Sequence, residues 1–273
     1  MPELPKARVK QLRSLKQRKG REELGLFVGE GPLLIEEAFK AGVFPRFVVL
    51  CEELVEGNRD KIDAVLARCR QEGIEVFTAP KADFEEGADT VNSQGLIGVF
   101  GTPAFELENL LKRDYLTLLV LDNLRDPGNL GTIVRQAAAF DCDGLLLLKG
   151  CVDAFNHKAV RASMGGIFHV PVISDLTPED VMQRLSNAGV WPYVTGTRGT
   201  NAFTVSYPPR TAFIIGGESE GVQPFWSERD VIGITIPQSS KVESLNAAVA
   251  ASIFLAYRYQ DRKSTRLNSS HAN

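Results

Sequence analysis

Two short runs, LTLLVLD at Leu116–Asp122 and GLLLL at Gly144–Leu148, constrain this chain more than any other feature. Neither alternates apolar with polar residues, so neither suits a strand with one face in water. Both read as strands buried on two faces, the pattern of a parallel sheet covered by helices. Further strands are predicted at Tyr193–Gly196, Ala212–Ile215 and Ile232–Ile236, and helices at Pro178–Ala188 and Leu245–Tyr259. The fold class is therefore α/β with a mostly parallel sheet. Ligands of such sheets sit at the carboxyl ends of the strands, where this chain places Asn129, Thr195, Gly196, Gly216, Gly217 and Glu218.

The stretch Leu119 to Phe140, LVLDNLRDPGNLGTIVRQAAAF, runs from strand through a glycine-broken turn into a helix that begins near Pro127. Arg135 lies three, four or seven residues from Gly131, Ala138, Ala139 and Cys142, which a helix would bring to one side. A cation on a stripe of small residues is either a functional group in close packing or an ordinary surface arginine. The segment FIIGGESEGV is a strand entering an acidic loop, with Gly216 and Gly217 allowing close backbone approach; its competing reading is a plain β-turn. The last helix has Ser244 as its expected N-cap, and its alanines at 247, 248, 250 and 251 permit close helix packing.

The first half reads as a smaller α/β domain over residues 1–101. From Met1 to Arg21 there are eight Lys or Arg (Lys6, Arg8, Lys10, Arg13, Lys16, Arg18, Lys19, Arg21) against the single acid Glu3, on a chain of net charge −3. Val9, Leu12 and Leu15 share one side of a helix predicted over residues 6–19, so the arm can dock and still present charge. It is either a solvated face or an arm that tracks phosphates by releasing counterions. Pro32 opens a second helix with Gly42 as its stop; TVNSQGLIG, Thr90 to Gly98, reads as a polar turn feeding a strand. Residues 102–114 are the candidate linker and 115–260 the second domain. The tail 261–273, DRKSTRLNSSHAN, has one aliphatic residue and reads as disordered or foreign to the working protein, with no role for His271.

Composition removes several classes. At 273 residues, 44% hydrophobic and 24% charged, the chain is long enough for two globular domains and has neither disordered nor fibrous character. Cys51, Cys69, Cys142 and Cys151 show no CxxC spacing, which disfavours zinc. No GxGxxG follows the first strand of either domain and no GxxxxGK[ST] occurs, which disfavours a dinucleotide site and a P-loop. The N-terminus lacks an apolar signal core, so the expected location is cytoplasmic. His157 and His169 have no Ser or Cys placed to make a triad and read as structural.

Three ordered segments, DPGNLGTIVRQAAAFDCDG, FIIGGESEGV and IPQSSKVESLNAAVAASI, resemble the signature motifs of the SpoU (TrmH-like) RNA 2'-O-ribose methyltransferases of the SPOUT superfamily. KAVRASMGGIFHVPV looks like that family's segment around a motif serine, and the basic arm with GLFVGEGPLLIEEAFKAG looks like its ribosomal-protein-like substrate domain. The resemblance implies a C-terminal domain with a deep trefoil knot, an exception to the rule against knots, and a homodimer with active sites near the interface. It implies S-adenosylmethionine as cofactor, bound at Gly216, Ile236 and Leu245 with Thr195 and Gly196. Arg135 matches the arginine assigned to the 2'-hydroxyl and adjacent phosphate; Asn129, Glu218, Ser244 and Asn246 match positions that shape the pocket. Arg8, Lys10, Arg13 and Lys16 are the candidate RNA contacts, with ribosomal RNA favoured over transfer RNA. Gly217 stands where many relatives have Asn or Ala, a change expected to loosen the loop. The other expectations that remain are an RNA-binding protein whose catalysis has lapsed and a small-molecule enzyme unrelated to RNA.

Overall fold

The computed structural model describes residues 1–270 apart from 56, 90, 91, 219 and 230, and the side chains of 263–270 are not described. Thr90, Val91 and His271, which figure among the sequence expectations, lie outside the described residues. In chain order the elements are α1 (Lys6–Leu15), α2 (Arg18–Leu24), β1 (Leu26–Glu30), α3 (Pro32–Lys40), β2 (Phe47–Leu50), α4 (Arg59–Gln71), β3 (Glu75–Thr78), α5 (Lys81–Phe84) and β4 (Leu96–Gly101). There follow α6 (Leu107–Leu110), β5 (Leu116–Asp122), α7 (Pro127–Ala139), β6 (Gly144–Leu148), α8 (His157–Ala162), β7 (Val172–Leu176) and α9 (Pro178–Asn187). The chain ends with β8 (Trp191–Asn201), β9 (Arg210–Gly216), α10 (Pro224–Ser227), β10 (Ile232–Thr235) and α11 (Ala247–Ser270). No helix among the described residues is long and apolar enough to cross a membrane.

Two compact units result: Met1–Pro103 with Asp153–His169, and Ala104–Val152 with Val170–Asn273. The linear division at residue 115 therefore misplaces 153–169, which pack with the first unit. Their anchors are the ion pair between buried Arg21 and Asp153, and Phe27 against Phe155 and Phe168.

The first unit holds a sheet in the order β1-β4-β2-β3, antiparallel except between β2 and β3. Its core includes Leu12 and Leu15 of the arm with Phe47, Val49 and Phe84. The arm is two helices rather than one. Gln17 is extended between them, and at Gly20 a Cβ would stand 2.1 Å from Ser14 O, so only glycine lets α2 fold back this tightly. Arg21, counted above among the free charges, is 4% exposed and donates to Leu15 O as well as pairing with Asp153.

The second unit holds six strands in the order β10-β8-β9-β5-β6-β7, every pair parallel. β5 and β6 are buried along their whole length, as their unbroken apolar runs demand. Residues 102–114 are not a bare linker: α6 lies within them, and Leu107 and Leu110 join the core of Leu116, Leu118 and Leu185. The tail is likewise not disordered from residue 261. α11 runs on to Ser270, Asp261 pairs with Arg258, and Arg262 is buried.

The amino-terminal end of this sheet is knitted by charge. Asp143 accepts from the Thr117 backbone N–H at 2.8 Å, from Arg113 Nη1 at 2.5 Å and from Arg262 Nη1 at 3.3 Å. Arg258, 3% exposed, donates to the carbonyls of Tyr207, Pro208 and Pro209 and pairs with Asp261 at 2.6 Å. Burial lowers the Arg258 pKa.

Candidate active site

A cavity of about 360 Å³ opens at the carboxyl ends of β8, β9 and β10. Three strand ends supply it. β8 leaves its pairing with β10 after Val194 and resumes at Thr200, so Thr195, Gly196 and Thr197 loop out into the wall. β9 delivers Ile215, Gly216, Gly217 and Glu218; the segment after β10 delivers Ile236, Gln238, Ser244 and Leu245, and the start of α11 closes the space. Thr195 is fixed by its hydroxyl donating to Ile214 O at 3.0 Å.

Backbone approach explains the two glycines. A Cβ on Gly216 would stand 2.3 Å from Gly221 C, and one on Gly217 would stand 2.1 Å from Asn123 O. Gly217 therefore tightens this loop against the end of β5, where looseness was expected. Asp122 completes the anchorage: its buried carboxylate accepts from the Gln223 backbone N–H at 2.7 Å, Gln223 Nε2 at 2.7 Å and Trp226 Nε1 at 2.9 Å. Both ends of the 217–223 loop thus hang on one residue.

At the rim Glu218 Oε1 accepts from Asn129 Nδ2 at 2.6 Å and from Asn246 Nδ2 at 2.5 Å. Asn246 Nδ2 also donates to Asn129 Oδ1 at 3.2 Å. Asn129 is held there because Asp126 caps α7 by accepting its backbone N–H at 2.7 Å. Asn246 itself caps α11, Oδ1 accepting from the N–H groups of Ala248 and Val249. The N-cap expected at Ser244 is thus two residues further on, and Ser244 instead lines the cavity.

Arg135 is exposed on α7 and makes no hydrogen bond or ion pair among the described residues. Its proposed stripe is incomplete. Cys142 lies beyond the helix, buried, with its thiol donating to Thr117 O at 3.3 Å, so it cannot share the Arg135 face. The candidate RNA contacts on α1 are engaged to different degrees. Arg13 forms a two-pronged pair with Glu86 and Lys16 donates to Glu85 O, while Arg8 lies over the Phe47 ring at 4.5 Å. Reading the sequence missed Asp122 and the Arg125–Glu220 pair across the loop at 2.9 Å. A lone acid after LTLLVL and an arginine one residue before the Asp126 cap were the only signals available.

The residues present suit S-adenosylmethionine. Glycine walls would let a flat heterocycle lie against backbone, Ile215, Ile236 and Leu245 would give apolar contact, and Glu218 at the edge would suit a cationic group. Among the described residues no group of His, Cys, Asp and Glu could hold a metal ion.

Comparison with known proteins agrees. The SpoU rRNA Methylase family profile matches residues 117–256, and that of the MRM3-like substrate binding domain matches residues 6–98. The chain is 39% identical over 173 residues to human mitochondrial rRNA methyltransferase 3, covering 61% of this chain and 39% of that protein. It is 32% identical over 251 residues to the Bacillus subtilis 23S rRNA (guanosine(2553)-2'-O)-methyltransferase RlmP, covering 91% of this chain and 94% of that one. The crystal structure of an AdoMet-bound rRNA methyltransferase from Sinorhizobium meliloti superposes with a TM-score of 0.81 at 27% identity, covering 97% of each chain. Fold and site together are those of an S-adenosylmethionine-dependent RNA methyltransferase of the SPOUT class. Within that class the chain belongs to the SpoU rRNA methylase family.

Proposed function

We propose that this protein methylates the 2'-hydroxyl of a ribose in ribosomal RNA. The observation that carries the reading is the Asn129–Glu218–Asn246 triangle on the lip of the glycine-walled cavity, together with Arg135, exposed and without a partner among the described residues, on the helix that supplies Asn129. Similarity to the Bacillus subtilis relative, named for 2'-O-methylation of 23S rRNA, supports the choice of atom and RNA.

The cofactor, when bound, supplies a methyl group on a positively charged sulfur. Thr195, Gly196, Gly216, Ile236 and Leu245 hold it through backbone and apolar contact. Glu218 Oε1, already accepting two amide N–H groups, is held in place by them. An alcohol is a weak nucleophile, so alignment carries most of the acceleration. Arg135 acts as a clamp on the ribose and adjacent phosphate, its planar guanidinium donating to both and so orienting the ribose oxygen. Ser244 and Asn246 shape the remaining edge. Bound there, the cofactor would supply an electrophilic methyl carbon, and Arg135 with the Asn129–Glu218–Asn246 group would hold the ribose oxygen for attack on it.

The same reading includes a cytoplasmic homodimer, with the chain end of the C-terminal domain threaded into a deep trefoil knot. Transfer of labelled methyl from S-adenosylmethionine to total cellular RNA, followed by digestion, tests it. A 2'-O-methylnucleoside from ribosomal RNA is expected; a base-methylated product, transfer RNA as sole acceptor or no transfer would each overturn the reading. Arg135→Ala is expected to abolish turnover while cofactor affinity stays within about threefold, since the loss falls on transition-state contacts.

A further inference from the structure

The turn after α8, in the first unit, holds a conformation that packing inside the protein does not reward. Four non-glycine residues among those described have positive φ: Asn123, Asp141, Asp175 and Met164. Asn and Asp tolerate that region through their short polar side chains; Met164, at φ 48°, has no such excuse. The turn is over-determined by its hydrogen bonds. Met164 N–H reaches Arg161 O at 3.1 Å, Gly166 N–H reaches Ser163 O at 2.8 Å, and the Ser163 hydroxyl donates to Val160 O at 2.6 Å. Nor can a shift of register hand the strain to the next glycine. Gly165 is itself at φ 89°, and a Cβ there would stand 2.6 Å from Glu37 Cβ. The Met164 side chain is 55% exposed, so no core burial offsets the strain. One turn earlier Arg161 is also exposed, with no ion pair or side-chain hydrogen bond among the described residues.

From this we infer that Met164 and Arg161 form a contact site for an unstacked nucleobase of the substrate RNA, the thioether against the base face and the guanidinium on the neighbouring phosphate. Sequence-selective contact with RNA is made largely to bases splayed out of the helix, and methionine is among the apolar side chains that wedge against bases. Its polarizable sulfur also favours contact with aromatic rings. The left-handed turn lifts the side chain clear of the surface, and the fold keeps the strain because the exposed methionine is useful there. Residues 161 and 164 themselves fall within the methylase match at 117–256, but they pack in the unit whose residues 6–98 match a substrate-binding domain. This site rests on the RNA-methylation reading above.

The test exploits the strain. Met164→Gly removes the side chain and relieves the backbone together, so its melting temperature is expected to rise by about 2–4 °C. Its RNA Kd, measured on cofactor-free protein, and its KM for RNA are expected to rise about five- to a hundredfold, the scale of losing one base contact. Met164→Leu, which keeps an apolar side chain, is expected to stay within about threefold of wild type. Arg161→Ala is expected to weaken RNA binding and reduce the salt slope by about one. A more stable Met164→Gly protein with wild-type Kd and KM overturns the inference. A shift in its sedimentation from dimer to monomer also overturns it, since the methionine would then be covered by a second copy of the chain. Wild-type protein assayed alongside keeps the two readings apart: if it transfers no methyl to RNA, the activity itself fails and this site with it.

Discussion

The two ends of the six-stranded sheet are built from the same kinds of residue and do opposite things. At the amino-terminal end Arg113, Arg258 and Arg262 spend their charge on Asp143, Asp261 and buried carbonyls. At the carboxyl-terminal end Arg135 has no ion pair among the described residues, and the acid of the triangle, Glu218, is exposed beside two amides. Charge that is spent inside the protein stabilises it; charge left unspent at a cavity mouth is available to a ligand. The spent end is not perfect, since Thr117 Oγ1, Arg210 Nε and Arg258 Nε are buried there without a partner. Locking the last helix evidently outweighs those three losses.

The comparison breaks if changes at the amino end cost activity, or changes at the carboxyl end cost stability. The largest effect is expected from Arg258→Ala, which takes the buried donor away from the carbonyls of Tyr207, Pro208 and Pro209. Chemical denaturation should show a loss of about 3–5 kcal/mol, with turnover per folded molecule unchanged. Asn246→Asp is the converse. It keeps the side-chain oxygen that caps α11 but sets a second carboxylate against Glu218. Methyl transfer is expected to fall on the order of a hundredfold, while the melting temperature moves little; unfolding of this variant would break the separation. Gly217→Ala drives a Cβ into Asn123 O, so the cavity wall must shift, and weaker cofactor binding is expected by calorimetry.

The smallest effect near neutral pH concerns Cys142, whose thiol burial pushes up to about 12 from 9. The folded state therefore keeps the proton that the unfolded state releases. Stability from this group is complete below pH 9 and falls by about 1.4 kcal/mol per pH unit between 9 and about 12. Cys142→Ser should flatten that limb of the stability profile, and an unchanged limb would remove Cys142 as its cause.

What the sequence disclosed follows the same division. Unbroken apolar runs announced β5 and β6 because burial on both faces leaves no polar positions to disguise them. Gly216 and Glu218 were legible as a loop with room for a ligand. The arm was misjudged as one helix because the close approach of Gly20 to Ser14 is a tertiary event with no local signature. Arg258 and Arg262 were invisible for a related reason: an arginine at a helix end or in a polar tail looks the same in sequence whether it is solvated or buried against carbonyls and Asp143. Residues 153–169 could not be assigned to the first unit because neither Asp153 nor its partner Arg21 is distinguished by its neighbours in sequence.

The double engagement of Asn246 has a consequence for how ligand occupancy will register. One amide both starts α11 and grips Glu218, so the first turn of that helix and the position of the motif loop open and close as one unit. Hydrogen exchange at the Ala248 and Val249 amides should therefore slow when the cavity is filled, although neither N–H faces it, making the beginning of the last helix a built-in reporter of the bound state.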